Sequence, residues 1–282
     1  MKVYRTIEEI RFEIGKLKSA GKKVGFVPTM GALHEGHISL IRKAHEHSDA
    51  VVVSIFVNPE QFGPNEDYET YPRELDEDLE KIKEQGVSLV FTPDRTELYD
   101  SEKYLKIVIN SLNDHMCGAS RPGFFEGVLL VVNKLFNIVQ PDVALFGQKD
   151  IQQFQIISRM VEEFNQNVEM VMVPISRAND GLALSSRNAY LSEQERKIAP
   201  GLYRSLTYIE KQVRGGVDTP ALMISHQKSE LEAKGFKIDY LNMFSLKTLQ
   251  PVETLAKGEQ YILAGAVWLG KTRLIDNILI EL

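Results

Sequence analysis

The chain of 282 residues has one cysteine, Cys117, and one tryptophan. A single thiol excludes an intramolecular disulfide and suits a reducing compartment. It also gives no basis for a cysteine-rich metal site. Positive charge is in short supply: 33 Lys and Arg against 39 Asp and Glu leave a net charge of −6. Such a chain has no general attraction for nucleic-acid phosphates, so any anion site must be local. No uncharged apolar run reaches the roughly 18 residues of a membrane span. The N-terminal stretch MKVYRTIEEIRFEIGKLKSAGKK is amphipathic and charged, without the apolar centre of a signal peptide. Repeats and low-complexity tracts are also missing. The expectation is a soluble cytoplasmic protein with no nucleic-acid or membrane partner.

What is present is an alternation of apolar and amphipathic segments. KVGFVPT (Lys23–Thr29), AVVVSIFV (Ala50–Val57), VSLVFTP (Val87–Pro93), DVALFG (Asp142–Gly147) and VEMVMVP (Val168–Pro174) are rich in β-branched residues with little polar alternation. That is the pattern of strands buried on both faces. Helical patterns alternate with them: HISLIRKAHEHS, ELDEDLEKIKEQG with a glycine stop at Gly86, GVLLVVNKLFNIVQ, and DIQQFQIISRMVEEFN with Asp150 placed as an N-cap. The fold class predicted is α/β, a Rossmann-like doubly wound parallel sheet. Beyond Arg187 the character changes. Two helical segments, SEQERKIAPGLYRSLTYIEKQVRGG and TPALMISHQKSELEAKG, precede three strand-like ones, KIDYLNMF, QYILAGAVWLG and TRLIDNILIEL. The last two suit an antiparallel pair around Gly270-Lys271. The expected organisation is residues 1–176 as the larger domain and 177–282 as a smaller α+β domain, joined near residues 175 to 188.

In open parallel α/β sheets, ligands bind at the carboxyl ends of the strands, and the polar residues of note follow the predicted strands. After the first comes PTMGALHEGHISL. Gly31 and Gly36 allow tight turns and close backbone approach. His37 is placed at a helix start, where backbone N–H groups and the dipole favour phosphate, and an imidazole there can stabilise charge at a reacting phosphorus. The competing reading has one of His34 and His37 capping the helix and the other on the surface. After the second strand, Asn58 and Gln61 are neutral amides suited to hydroxyl and carboxylate recognition; the alternative is a polar loop built on Pro59, Gly63 and Pro64. The acidic run NEDYETYPRELDEDLE reads as a solvated face. After the fourth, Gly147, Lys149, Asp150 and Gln153 converge at a strand-to-helix junction, where a lysine can carry charge to phosphate. After the fifth, Ser185, Ser186 and Arg187 combine hydroxyls with a guanidinium, a set suited to phosphates and a leaving pyrophosphate. Phe124 and Phe125 of CGASRPGFFEGV suit an apolar wall or the core. The chain has no GxxxxGKS/T loop and no G-x-S-x-G elbow. The H-E-G-H spacing is not the i, i+4 spacing of a helical metal pair.

Taken together, PTMGALHEGH, VSIFVNPEQFGPNEDYETYPR, FGQKD followed by QQ, and DGLALSSRN followed by YL resemble the pantoate–β-alanine ligase family, within the H-x-G-H nucleotidyltransferase superfamily. These segments span the N-terminal two-thirds of the chain. The resemblance implies an ATP-dependent ligase: pantoate is adenylated by Mg-ATP with loss of pyrophosphate, and β-alanine then displaces AMP. It implies that Met30, Gly31, His34, Gly36 and His37 line the ATP site with Gly147, Gln148, Lys149 and Asp150. Ser176 would meet adenine through its backbone, and Leu184, Ser185, Ser186 and Arg187 would close over the phosphates. His34, His37, Lys149 and Arg187 are the implied catalytic groups. Gln61 and Gln153, with Asn58 beside them, would hold pantoate and β-alanine. Magnesium would arrive with ATP, with no metal ligand assigned to the chain. A homodimer with a C-terminal lid is implied. The chain departs from the family pattern at Phe124, where a histidine is common, and at Gln148, where a glutamate is common. Two other readings are another nucleotidyltransferase acting on a phosphorylated acceptor, and a non-catalytic nucleotide-binding module. How His34 and His37 divide the work is left open by the sequence.

Overall fold

A computed structural model describes residues 1–64, 66–99 and 104–282. Asn65, within the second of the family-like segments, lies outside the described residues. The chain forms two compact units. The first comprises Met1–Ile109, Pro122–Gly147 and Ile156–Pro174; the second comprises Asn110–Arg121, Gln148–Gln155 and Ile175–Leu282. The second unit therefore takes in two segments that precede residue 175, and one of them carries Lys149, Asp150 and Gln153.

The strands of the first unit are β1 (Lys2–Tyr4), β2 (Val24–Thr29), β3 (Ala50–Ile55), β4 (Leu89–Phe91), β5 (Val143–Gly147) and β6 (Glu169–Val173). The second unit holds β7 (Lys237–Ser245), β8 (Gln260–Leu269) and β9 (Thr272–Glu281). In chain order the helices are α1 (Ile7–Ser19), α2 (Glu35–His47), α3 (Leu75–Lys83), α4 (Arg95–Leu98), α5 (Met116–Ser120) and α6 (Phe124–Val139). They continue as α7 (Ile151–Glu163), α8 (Glu193–Ile198), α9 (Gly201–Arg214) and α10 (Ala221–Ala233).

Every strand pair in the first sheet is parallel, in the order β1-β4-β3-β2-β5-β6. All five predicted strands of this sheet form. β1 is an addition, a three-residue edge strand with no apolar run to announce it. From β2 the chain winds one way through β3 and β4, then returns to place β5 and β6 on the other side of β2. The switch point lies between β2 and β5, where open α/β sheets carry their ligands. Ile38, Leu40, Ile41 and Ala44 of α2 lie buried with Val27, Val51, Val53 and Leu145. Phe26 of β2 and Phe146 of β5 meet Phe136 of α6 edge-on, at ring separations of 6.3 and 6.4 Å. A sheet covered by apolar side chains in this way has no need of polar alternation, which is what its strands read like in sequence.

The second unit's sheet is antiparallel, in the order β7-β8-β9. β8 and β9 join at Gly270-Lys271, where Leu269 faces Thr272 and Gly270 has a φ of 57°. Leu202, Leu206, Ile209 and Val213 form one stripe of α9 and pack with Ile224 and Leu231 of α10 and with Leu241, Leu263 and Val267 of the sheet. The first helical segment predicted beyond Arg187 divides at Ala199-Pro200 into α8 and α9. Proline supplies no N–H and is tolerated only at the start of a helix. Among the described residues no helix is long and apolar enough to cross a membrane.

Candidate active site

The loop leaving β2 is built around a buried carboxylate. Gly31 and Ala32 have φ values of 83° and 50°, two successive left-handed residues. This turns the N–H groups of Ala32 and Leu33 toward Asp78 of α3, which accepts both, at 2.8 and 2.7 Å. Asp78 is 1% exposed, and Lys81 lies 3.8 Å from it. A side chain at position 31 would be strained by its φ, and its Cβ would lie 3.0 Å from the Asp78 carboxylate and 3.2 Å from Ile55. The acidic run read as a solvated face therefore contains a carboxylate that is not solvated. Its acidic neighbours Asp76, Glu77 and Glu80 are exposed, whereas Asp78 is buried.

The helix expected to open at His37 begins at Glu35, with His34 as its N-cap. The two histidines cap it reciprocally. His34 Nδ1 accepts the Gly36 N–H at 3.1 Å, and His37 Nδ1 accepts the His34 N–H at 3.3 Å. This is a capping box with imidazoles in place of the usual hydroxyl and carboxylate. The rings lie 4.2 Å apart. An Nδ1 that accepts a hydrogen bond carries no proton, so each neutral ring bears its hydrogen on Nε2. Of the two readings of the pair, the capping one thus applies to both rings and not to one alone, through Nδ1 of each.

After β3 the chain enters a 3-10 turn, Pro59–Gln61, capped by Asn58. The Asn58 Nδ2 group donates to Gln61 Oε1 at 3.0 Å and to the Gly127 carbonyl at 3.1 Å. Its Oδ1 accepts from Tyr99 Oη at 2.9 Å and from the Glu60 N–H at 3.3 Å. With its amide capacity used and only 1% of its surface exposed, Asn58 orients Gln61. Gln61 in turn points its Nε2 at Met30 Sδ, 3.0 Å away, which brings together residues that follow β2 and β3. Gly127 of α6 permits this, because a Cβ there would lie 2.0 Å from the Glu60 carbonyl oxygen. Burial, and secondarily the charge of Glu60, push the Tyr99 phenol well above its ordinary range, so it stays a proton donor. Tyr99 has no motif of its own in the sequence.

Gln148, Lys149 and Asp150 form a 3-10 turn between β5 and α7, so Asp150 closes this turn at the position expected to cap the helix. Lys149 Nζ lies 3.7 Å from Asp150. Of the two glutamines that follow, Gln152 is structural. It is 3% exposed, accepts the Cys117 N–H at 2.9 Å and donates to the carbonyls of Leu112 and His115. Gln153 is half-buried.

The segment after β6 folds back on itself through an Arg177–Ala183 bridge and a Leu184 N–H to Ser176 carbonyl bond of 2.9 Å. Ser185 caps the 3-10 turn Ser186–Tyr190, its hydroxyl accepting the Arg187 N–H at 3.3 Å. Leu184 to Arg187 thus form one short ordered stretch that begins beside Ser176. Arg177 is held by both oxygens of Asp276, at 2.6 and 2.8 Å, and its guanidinium lies 3.8 Å from the Tyr203 ring centre. Burial raises the Asp276 carboxyl above its ordinary value, and Arg177 opposes the rise. Phe125 is a core residue, 2% exposed, and Phe124 meets it edge-on at 4.8 Å. Among the described residues no three His, Cys, Asp or Glu side chains come together as a metal site.

The family model for pantoate–β-alanine ligase matches residues 2–279. The chain belongs to the pantoate–β-alanine ligase family. It is similar to a pantothenate synthetase of Pseudomonas fluorescens, with 46% identity over 100% of this chain and 99% of the relative. A pantothenate synthetase of Thermotoga petrophila is 47% identical, over 99% of this chain and 100% of that one. The crystal structure of pantothenate synthetase from Thermus thermophilus has a TM-score of 0.91 and 42% identity, covering 99% of each chain. A pantoate-β-alanine ligase from Francisella tularensis, complexed with beta-gamma ATP and β-alanine, has a TM-score of 0.82 and 35% identity, covering 99% of this chain and 97% of its own. The six-stranded parallel sheet and separate antiparallel sheet are therefore those of this ligase family.

Proposed function

We propose that the chain carries out the ligation that names its family, condensing (R)-pantoate with β-alanine through pantoyl adenylate. A carboxylate oxygen of pantoate attacks the α-phosphorus of Mg-ATP, and pyrophosphate leaves with the electron pair of the broken P–O bond. The amine of β-alanine then attacks the acyl carbon, loses a proton and expels AMP. Neither step needs a nucleophile from the protein. The chain's task is to position the reactants and stabilise charge.

The observation that carries this reading is the reciprocal cap of His34 and His37. It fixes both rings at the carboxyl end of β2, with the proton of each on Nε2. We assign those donors, with Lys149 and Arg187, to the phosphates during adenylation. Met30, Gly31, Gly36, Gly147, Gln148, Asp150, Ser176, Leu184, Ser185 and Ser186 complete the ATP site. Gln61 and Gln153 bind pantoate, with Gln61 also toward β-alanine and Asn58 supporting it. Neutral amides suit a carboxylate that must remain nucleophilic. Magnesium enters as part of the Mg-ATP substrate. Residues 1–176 are assigned nucleotide and pantoate binding, and 177–282 the lid, because an acyl adenylate hydrolyses unless water is excluded. A homodimer in the cytoplasm completes the proposal.

The test is AMP formation from ATP with pantoate and β-alanine, each omitted in turn, alongside pantoate-dependent exchange of pyrophosphate into ATP. AMP should require both substrates, and exchange should require pantoate alone. Exchange that proceeds without pantoate, or no exchange in its presence, would overturn the reading.

A further inference from the structure

Two adjacent polar residues, Asp276 and Asn277, lie buried in the middle of β9, 4% and 2% exposed, in a strand otherwise dominated by leucine and isoleucine. Neighbouring side chains of a strand leave on opposite faces, so this is not one polar patch. A buried amide without partners is costly, and the partners of Asn277 are specific. Its Nδ2 donates to the carbonyl oxygens of Gln148, at 2.9 Å, and Lys149, at 3.1 Å. Its Oδ1 accepts from Gln148 Nε2 at 3.2 Å. Three hydrogen bonds from one side chain thus hold two consecutive residues of a turn 128 and 129 positions away. The Asn277 N–H is itself tied to Asp276 Oδ1 at 2.8 Å, and Asp276 is clamped by Arg177.

We propose that Asn277 is the positioning residue for Lys149, and that it acts through Lys149 on the adenylation half-reaction. This rests on the adenylating role given to Lys149 above. A lysine ammonium sits on a flexible four-carbon stem, so its aim depends on how firmly its own backbone is held. The two short bonds fall on the carbonyl of Lys149 itself and on that of the residue before it. Only an amide of this size meets the demand. An aspartate would set a carboxylate against two carbonyl oxygens, and an apolar residue would leave both without this donor. The Arg177–Asp276 pair fixes the strand backbone at the same point.

The experiment separates the two half-reactions. Asn277→Ala and Asn277→Ser are assayed for pantoate-dependent pyrophosphate–ATP exchange, and for pantothenate formation from supplied pantoyl adenylate and β-alanine. Asn277→Ala is expected to lower the exchange kcat by about 10- to 100-fold, the scale of a misplacement near 1 Å, and Asn277→Ser by less. Turnover of the supplied adenylate should stay within about twofold of wild type, the latitude left when only the first step is affected. In a Lys149→Ala background, Asn277→Ala should cost little more, because a residue acting through another has nothing left to act on. Hydrogen exchange in the peptide spanning residues 148–150 should quicken while that in β7 and β8 is unchanged. Equal losses in both half-reactions, the same fold-loss with and without Lys149, or two variants that fail to fold would each overturn the proposal in favour of a structural role. Wild-type protein without exchange activity would instead remove the adenylation reading. Even then, the hydrogen-exchange arm would report whether Asn277 holds the turn.

Discussion

Asp78 receives the backbone N–H of Leu33 at 2.7 Å across 45 residues of chain, with the Ala32 N–H on its other oxygen. A helix on one side of the sheet thus fixes the loop that carries the histidine pair. Hydrogen bonds to a buried charge contribute roughly 1.5–3 kcal/mol each, and losing the acceptor leaves two amides unpaired. Asp78→Ala should therefore destabilise the protein by about 2–4 kcal/mol in urea melts, with Asp78→Asn intermediate. A change below about 0.5 kcal/mol, the size of an ordinary surface substitution effect, would mean that water replaces the carboxylate.

His37 has a structural task and a chemical one, and they can be separated. His37→Ala removes both, lowering pyrophosphate exchange on the order of 100-fold and loosening the start of α2 by about 1 kcal/mol. His37→Gln places a side-chain acceptor at the position where glutamine completes a capping box. The melting midpoint should recover while the exchange rate does not. Lys149→Ala should lower exchange to a similar extent with no change in the midpoint. Full exchange activity in His37→Gln would assign that imidazole to capping alone.

Tyr99, Asn58 and Gln61 form a line of hydrogen bonds ending at the proposed pantoate site. Tyr99→Phe deletes the first bond and nothing else of the ring. With a bond of this kind contributing about 1 kcal/mol, the KM for pantoate should rise roughly fivefold at nearly constant kcat, and Gln61→Ala should raise it further. Unchanged pantoate KM in Tyr99→Phe would show that Asn58 is oriented by Gly127 and Glu60 without the phenol.

Acid titration should reveal the helix caps. The Glu195 carboxylate accepts from the backbone N–H and hydroxyl of Ser192, bonds that hold its pKa below the ordinary 4.5. Glu9 is lowered likewise by the Thr6 hydroxyl and backbone. A depressed carboxylate stabilises the fold above its unfolded pKa, and the contribution disappears as pH falls through the folded value. The urea midpoint should therefore fall from about pH 4.5 downward, and Glu195→Gln should shallow that fall while keeping a capping side chain. Asp276 has the opposite sign. Its raised pKa makes the protonated form the more stabilising one, fully so below 3.8, with the contribution lost as pH rises through the folded value. An acid limb that stays as steep in Glu195→Gln would exclude that cap as a contributor.

The sheet was legible because its strands are continuous apolar runs, a local property. β1 was not, since Lys2, Val3 and Tyr4 acquire strand geometry only by pairing with Leu89, Val90 and Phe91. The histidine pair, the Lys149 turn and the Ser-Ser-Arg stretch could be read from spacing, because each is a few consecutive residues after a strand. Asp78, Tyr99 and Asn277 could not. Asp78 stands among acidic residues that do face water, Tyr99 lies in no motif, and Asn277 is one amide in a strand whose partners are more than a hundred residues distant. Distant hydrogen bonding leaves no periodicity in a sequence. The capping role of the two imidazoles was open to sequence reasoning as one of two alternatives. Only the geometry shows that both rings take it, each through Nδ1.

Cys117 is buried between the Tyr240 hydroxyl, 3.5 Å from its sulfur, and the Arg273 guanidinium, 3.4 Å away. It is also the sole thiol in the chain. The protein therefore carries a single-site chemical probe of its own. The rate at which a thiol reagent modifies that sulfur reports on the packing around one site in the second unit. No engineered label is needed to compare that rate with ATP present and absent.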